Sequence, residues 1–521
     1  MRCFSNHQQG GRGDDSSNSD PVQKVRFVDP PLSRESPEWV QLDQQVGSDH
    51  FARWIDQAVD SLDFTPVLAL YRGTGSDPLP PQLLLKGILL LVYSGVLSPA
   101  VWCQSFRENL VVQWLTRGCA PSRSTLYDFR DRLRPVFESL SNQVIRQAQA
   151  AGFLTAGVVA ALDGTVVRSQ GSRHRLANLK RLTKYREALT KALQQDALGL
   201  PVEVSERWMA KTPGGRESQA ARFDHAATVL EERLRINQQR PKAKRLEERQ
   251  VTVSLSDPEA AVGRDKEKVH CACYNTQFQV DQQSLLIITY DTLCQSSDVD
   301  TLPRMLDKTR DVLGFYPSVQ LADAGYVSLL DIQDAAARGV NLIAPYQESE
   351  WTEKKRTLNA ALQLGKERFV WLPDERTYRC PQGHKLQFDY REKVPRRSGE
   401  KNVYRNRYRC ATEHCQMCPL KAQCCPKTKT GRTVKRFDNE ELIEAHRAKM
   451  QTAEAKTLNR QRGAIIERAF GDMKAHRNLR RFHGRGRARA HAEIGMVVLV
   501  ANLITLRRLH RVDPNPNKNT T

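Results

Sequence analysis

Three acidic residues in this 521-residue chain stand where they could carry phosphodiester chemistry. Asp163 follows a short apolar strand pattern over residues 157–162, and Asp323 follows a second one over residues 318–322. Open α/β sheets place their ligand-binding groups at such strand ends. The third acid, Glu467, lies in a helical segment that is otherwise dominated by positive charge. The three acids are therefore our candidate catalytic residues.

Three carboxylates that converge on one point repel each other unless a divalent cation lies between them. Mg²⁺ (or Mn²⁺) prefers oxygen ligands and leaves positions open for water and phosphate oxygens. A pair of such ions activates the attacking hydroxyl and stabilises the leaving oxygen of an in-line displacement. We therefore expect Asp163, Asp323 and Glu467 to be metal ligands. The alternative is that each Asp is a cap or turn residue and that Glu467 belongs to a solvated helix.

The segment around Glu467 predicts a basic helix over residues 464–481. Apolar residues at i, i+4 and i+7 from Ile466 form one stripe, and Glu467, Gly471 and Lys474 lie on the neighbouring stripe. Glycine at 471 costs about 1 kcal/mol relative to Ala in a helix, which favours a need for space beside the carboxylate. The predicted contacts with DNA phosphates are Lys474, Arg460, Arg462, Arg477, Arg480, Arg481 and Arg485.

The order of the elements around these acids is typical of one fold. After the strand before Asp163, the patterns predict a hairpin over 274–280 and 285–291, a helix over 298–313, and the strand before Asp323. A helix over 329–338, for which Ser328 and Asp331 predict a capping box, a strand over 340–344 and the basic helix follow. Three strands, helix, strand, helix, strand, helix is the order of a ribonuclease-H-like fold. We therefore predict the α/β class, with a mixed sheet covered by helices and a last core helix over 495–506.

Two long segments interrupt this order and are predicted to be insertions. Residues 166–265 open with a basic helical stretch (166–192), and residues 347–440 contain a group of cysteines. The predicted division of the chain is a disordered tail (1–22), an all-α domain (39–144), an α/β catalytic domain with both insertions (155–510) and a second disordered tail (511–521).

The predicted all-α domain ends in a basic amphipathic helix over residues 122–134. Several short helices that end in such a helix are typical of helix-turn-helix DNA-binding domains. The alternative is a structural helical domain with a solvated basic face.

The second group with metal-ligand chemistry is formed by Cys380, Cys415, Cys418, Cys424 and Cys425. The spacing between Cys415 and Cys418 suits a structural zinc site that the other cysteines could complete. An iron–sulfur cluster and free reduced cysteines are the alternatives. Cysteines gathered in one segment favour a reducing compartment over an extracellular disulfide framework.

The composition is that of a basic globular protein. Lys and Arg number 80 against 59 for Asp and Glu, a formal surplus of +21 that favours a polyanionic partner over a merely basic surface. Hydrophobic residues make up 40% of the chain, which excludes a wholly disordered protein. We find neither an apolar run of about 20 residues nor a signal-peptide pattern. We expect a cytoplasmic, nucleoid-associated protein whose partner is double-stranded DNA, with no membrane contact.

Between about Phe64 and Leu509 the sequence resembles the DDE transposases of bacterial insertion sequences. The resemblance is carried by ALDGT around Asp163, LADAGYVS around Asp323, and IIERAFGDMKAHRN around Glu467. It implies that these three residues are the catalytic acids and that Lys474 is the basic residue of the third motif. The arginine of the related signature falls on Gly463, next to Arg462, and its tyrosine is absent.

The resemblance implies an enzyme that binds the terminal inverted repeats of an insertion sequence, cuts DNA there and transfers the strands to target DNA. Such enzymes work as homo-multimers on paired ends. Two alternatives stay open: a transposase-derived DNA-binding regulator without catalytic activity, and a DNA nuclease of the same fold.

Overall fold

The computed structural model describes residues 25–73, 75–204, 207–240, 242–265, 268–346, 364–394 and 403–512. The predicted tail 1–22 lies outside these residues, as do 513–521 of the predicted tail 511–521. Parts of the cysteine-containing insertion, 347–363 and 395–402, also lie outside them. In the described part of the chain, no helix is long and apolar enough to span a bilayer.

Eight helices precede the sheet, and polar caps begin several of them. Ser122 Oγ accepts a hydrogen bond from Thr125 N, which begins the predicted basic helix at Arg123. The apolar side of that helix, with Leu126 and Phe129, is buried as the spacing predicts. The helices are α1 Pro37–Gln45, α2 Phe51–Asp60, α3 Thr65–Leu68, α4 Pro81–Tyr93, α5 Pro99–Glu108, α6 Leu110–Thr116, α7 Arg123–Leu133 and α8 Phe137–Ala150.

The central sheet is mixed, which agrees with the predicted α/β class. Its strands are β1 Val159–Arg168, β4 Ala261–Arg264, β5 His270–Asp281, β6 Ile287–Leu293, β7 Val319–Leu321 and β8 Asn341–Ile343, while β2 Leu176–Ala177 and β3 Val253–Ser254 form a separate pair. Strand β5 runs antiparallel to β1, β4 and β6, whereas β7 is parallel to both β1 and β8. The order across the sheet is therefore β6-β5-β1-β7-β8, with β4 also on β5.

Strand β1 corrects one prediction. We expected a strand that ends before Asp163, but β1 continues through it to Arg168. The polar Asp163-Gly164 pair does not end the strand because β5 supplies backbone partners along its whole length, from Ala160 to Arg168. Asp323, in contrast, directly follows the strand pattern of β7 as predicted.

Helices cover both faces of the sheet. Ser328 and Asp331 form the predicted capping box at the start of α12. The remaining helices are α9 Leu179–Ala197, α10 Pro213–Gln239, α11 Leu302–Leu313, α12 Leu329–Ala337, α13 Thr412–Gln416, α14 Lys421–Cys424, α15 Glu440–Met450, α16 Ala453–Gly471 and α17 Arg487–Val512. The predicted core helix over 495–506 is confirmed as the buried middle of α17.

The helix that carries Glu467 differs from its predicted bounds. It begins at Ala453 and ends at Gly471, where we expected a helix over 464–481. A π-helical turn, Asp472–His476, follows, and the chain then extends to pair with the end of β1 through Arg481. The basic residues after position 476 therefore lie on an extended segment beside the sheet.

The packing separates a shared core from two smaller ones. The N-terminal helices, one face of the sheet, α16 and α17 share a single hydrophobic core, and α11 and α12 pack on the other face around Leu162. Helices α9 and α10 enclose their own core around Phe223 and Leu230. A five-stranded antiparallel sheet with α13 and α14 forms a third unit, the cysteine lobe. Its strands are β9 Val370–Leu372, β10 Thr377–Arg379, β11 Lys385–Val394, β12 Val403–Cys410 and β13 Thr433–Phe437.

Candidate functional site

The sheet brings Asp163 and Asp323 to neighbouring strands. In the parallel pair of β1 and β7, Ala161 lies opposite Leu321, so two residues further on the two acids lie on the same side of the sheet. Each carboxylate is oriented by the next backbone amide. Gly164 N donates to Asp163 Oδ1 over 2.7 Å, and Ala324 N donates to Asp323 Oδ1 over 2.6 Å.

The two carboxylates differ in environment. The side chain of Asp163 is 28% exposed, whereas that of Asp323 is 60% exposed. Burial raises the pKa of Asp163, and the nearby Asp298 carboxylate acts in the same direction, against the hydrogen bonds from Gly164 and Arg462. Asp163 is thus the partly desolvated member of the pair, and Asp323 is the accessible one.

A guanidinium group from α16 joins the two acids. Arg462 Nη1 lies 3.0 Å from Asp163 Oδ2, and Arg462 Nη2 lies 4.0 Å from Asp323 Oδ1. The Arg462 side chain is only 19% exposed. We had predicted Arg462 as a DNA contact; in the structure its charge is directed at the carboxylates.

Glu467 lies on the same helix but takes no part in the contact of Arg462 with the two aspartates. Its side chain is exposed, and among the described residues it forms no ion pair. Lys474, which the sequence places on the same helical stripe as Glu467, donates a hydrogen bond to Thr165 Oγ1. Thr165 lies two residues along β1 from Asp163. No three His, Cys, Asp or Glu side chains of the described ranges are arranged to hold a metal ion. The structure therefore brings two of the three predicted acids together.

A polar network lies on the other face of β1, and sequence reasoning missed it. Tyr326 Oη donates to Gln277 Oε1 over 2.5 Å, and Gln277 Nε2 donates to Asp298 Oδ1 over 2.7 Å. Asn275 Nδ2 also donates to Asp298 Oδ1, over 2.8 Å. The network ties the turn after Asp323, which carries Tyr326, to the strand that pairs with Asp163. The signal in the sequence was the alternation of Asn275 and Gln277 in a strand.

Gly164 is required by this network. A Cβ at position 164 would lie 2.3 Å from Gln277 Nε2, 2.7 Å from Asp298 Oδ1 and 2.8 Å from Asn275 Oδ1. All three atoms are held by hydrogen bonds to one another. The residue after Asp163 must therefore lack a side chain.

The other predicted DNA contacts fall into two groups. Arg460, Arg480, Arg481 and Arg485 are exposed. Arg481 and Arg485 also donate to backbone carbonyls at residues 169–171, just past the end of β1. Arg477 is buried, because its guanidinium pairs with Asp472 and lies over the ring of Tyr93 in α4. Arg480, Arg481 and Arg485 thus lie beside the end of β1.

The five predicted zinc ligands all line one cavity in the cysteine lobe. The cavity measures about 20 Å³, room for one small occupant, and its walls also include Cys410, His384 and His414. These cysteines form no disulfide. Burial raises the pKa of Cys410 and of Cys424 to about 12, and a neighbouring cysteine adds to the shift in each case. Cys380, Cys415, Cys418, Cys424 and Cys425 therefore line one cavity, but no three of them are arranged to hold a metal ion in the described part of the chain, and zinc there stays a prediction.

Two segments of the chain match family models of transposases. A family described as "Transposase DDE domain" matches residues 379–507, and one described as "Transposase domain (DUF772)" matches residues 40–132. These matches support an insertion-sequence DDE transposase. The first range contains Arg462, Glu467 and most of the cysteine lobe, whereas Asp163 and Asp323 lie outside both ranges. No curated protein matches the chain.

Proposed function

We propose that this protein cuts DNA at the ends of an insertion sequence and joins those ends to target DNA. The observation that carries the proposal is the placement of Asp163 in β1 and of Asp323 just after the neighbouring parallel strand β7, with Arg462 of the helix that carries Glu467 beside both. The two transposase-family matches support the same conclusion.

The proposed catalytic fold is ribonuclease-H-like. It is supported by the strand order β6-β5-β1-β7-β8, in which β5 is antiparallel to β1 and β6 while β7 and β8 are parallel to β1. Helix α11 connects β6 to β7, and α12 connects β7 to β8. On this proposal, the α9–α10 unit and the cysteine lobe are insertions into one catalytic domain.

The donor set fits a hard divalent cation. Asp163 and Asp323 present carboxylate oxygens to a point that a positive group already approaches, and such oxygens suit Mg²⁺ or Mn²⁺. We propose that these two residues and Glu467 hold the ion. When bound, it would activate the attacking hydroxyl and stabilise the leaving oxygen.

The protein's own groups prepare this site. The amides of Gly164 and Ala324 each donate to Oδ1 of the preceding carboxylate, which fixes the orientation of both groups. The network of Gln277, Asp298 and Tyr326 connects β5 to the turn that follows Asp323. Because these groups are in place before DNA arrives, little reorganisation is needed at the reacting phosphate.

The proposed DNA path follows four exposed arginines and the half-buried Lys474. Arg460, Arg480, Arg481, Arg485 and Lys474 lie along α16 and the segment beside β1, where they would contact phosphates without reading bases. We assign recognition of the element ends to the N-terminal helices and the basic stretch 166–192, with the protein acting as a homo-multimer on paired ends.

The test uses the full chain with Mn²⁺ or Mg²⁺ and DNA that carries the inverted repeats flanking its own gene. Wild type is compared with Asp323→Asn, Glu467→Gln and the control Glu454→Gln, an exposed acid in the first turn of the same helix. We expect cutting at the repeat ends and joining to a plasmid, lowered at least about a hundredfold in the first two variants and unchanged in the control.

The other outcomes separate the alternatives. End binding without cutting by any of these proteins would favour the regulator. Cutting without joined products would favour a nuclease. Cutting that survives both acid substitutions would mean that the active site lies elsewhere.

Zinc in the cysteine lobe is a separate proposal, supported by the convergence of the thiols on one small cavity. We expect about one zinc per chain by elemental analysis of the purified protein, lost in Cys415→Ser. Iron with visible charge-transfer absorption would favour a cluster instead, and metal-free, fully folded protein would contradict the proposal.

A further inference from the structure

Arg462 lies where a metal ion would have to bind. Arg462 Nη1 lies 3.0 Å from Asp163 Oδ2, and Arg462 Nη2 lies 4.0 Å from Asp323 Oδ1. Asp163 Oδ1 is already occupied by the amide of Gly164, so Oδ2 is the atom that both a guanidinium and a cation would use.

A guanidinium and a metal ion at Asp163 Oδ2 compete for the same negative charge. The guanidinium has only donor groups, carries its charge at every physiological pH and cannot act as a ligand. A divalent ion in contact with Asp163 Oδ2 would stand within a few ångströms of that charge and would be repelled by it. Metal binding and the Arg462 contact therefore oppose each other.

We propose that Arg462 is an internal counter-cation of the Asp163–Asp323 pair, which a divalent metal ion displaces. Arg462 holds the two carboxylates together in the metal-free protein, and the strength of its contact sets the affinity for the metal. This inference rests on the proposed function, because it assumes that the acid pair is the metal site.

The proposal has a direct consequence for DNA binding. Once displaced, the guanidinium adds its charge to the exposed basic surface of α16, beside Arg460. Metal loading and the binding of a phosphodiester backbone then favour each other, because coupling between two sites is reciprocal.

The experiment measures Mn²⁺ binding to the full chain by electron paramagnetic resonance of the free ion, without DNA and at fixed salt. Wild type is compared with Arg462→Gln, Arg462→Lys and the control Arg468→Gln, an exposed arginine on the same helix. Asp323→Asn and Asp163→Asn identify the site. Circular dichroism checks that each variant is folded.

We expect Arg462→Gln to bind Mn²⁺ about tenfold more tightly than wild type, within the usual range for such coupling. Arg462→Lys keeps the charge and should remain closer to wild type, and Arg468→Gln should not differ from it. Methylguanidinium added to Arg462→Gln should weaken binding again, because it can occupy the vacated position.

Two outcomes would overturn the inference. Weaker binding by Arg462→Gln would mean that the arginine organises the acids for the metal, and unchanged binding would mean that it does not compete. If no protein, Arg462→Gln included, binds Mn²⁺ in a way that depends on Asp163 or Asp323, the proposed metal chemistry itself fails.

Discussion

The carboxylate pair and the cysteine cavity both have the residue types of a metal site, yet they handle charge differently. At Asp163 and Asp323, the chain brings in Arg462 from a distant helix. At the cavity, burial raises the pKa of Cys410 and Cys424 to about 12, so the thiols keep their protons and need no counter-ion.

The difference follows from the acidity of the two groups. Asp163 is partly buried and lies near Asp323, so a nearby positive charge stabilises negative charge on this pair. Thiols avoid the cost of burial by staying neutral, and apolar walls are enough to hold them. A metal ion therefore displaces a guanidinium at the first site and protons at the second.

The largest effect is expected at the thiols. In chelator-treated protein near pH 8, Cys410 and Cys424 should react with N-ethylmaleimide about a thousandfold more slowly than glutathione, because so little thiolate is present. Peptide mass spectrometry gives the rate at each site, with the less buried Cys418 in the same digest as the comparison. Labelling at the rate of glutathione would mean that these thiols are ionised, and the contrast between the two regions would be lost.

A smaller effect should follow from crowding the network behind Asp163. Gly164→Ala forces Gln277, Asn275 and Asp298 apart and should lower the free energy of unfolding by about 1–3 kcal/mol. Urea denaturation measures this change. In the control, Gly471→Ala, the added Cβ meets nothing within 4 Å, so stability should rise by up to about 1 kcal/mol.

The Gly164→Ala substitution also tests whether the acid pair and the cysteine lobe are independent of each other. It should weaken Mn²⁺ binding at the acids and leave thiol labelling in the cysteine lobe unchanged. A change in labelling would show that the two regions are not independent.

The smallest effect concerns His446, on the helix that links the cysteine lobe to α16. Burial lowers the pKa of His446, against its hydrogen bond with Ala344 O, and Lys449 lowers it further. Because the folded-state pKa lies below the unfolded value near 6.5, this contribution to stability is complete above about pH 6.5 and is lost as the pH falls below it.

Unfolding curves at several pH values test this dependence. In His446→Gln the acid-side slope should become shallower, since the amide can donate to Ala344 O but cannot be protonated. An identical slope in both proteins would assign the acid sensitivity to other groups.

Local signals predicted much of the fold. The alternation before Asp323, the capping box of Ser328 and Asp331, and the apolar middle of α17 each depend on residues a few positions apart. Such patterns are visible in a single sequence because they describe one element and the face it buries.

The contacts that complete the candidate site could not be predicted in this way. Arg462 and Asp163 are 299 residues apart, and nothing near Arg462 distinguishes an arginine that binds carboxylates from one that binds phosphate. The error at Asp163 has the same origin. Its polarity suggested a strand end, but the hydrogen bonds that continue β1 come from β5, more than a hundred residues later.

Helix α17 is the last described element to leave the ribosome, yet it fills the centre of the shared core against β6, α4 and α8. The apolar faces of those earlier elements therefore stay open throughout synthesis and close only when residues 487–512 emerge. Until then the sheet beneath Asp163 and Asp323 lacks its support, so a nascent chain carries both acids without a finished site. The order of translation thus delays completion of the candidate site until residues 487–512 have been synthesised.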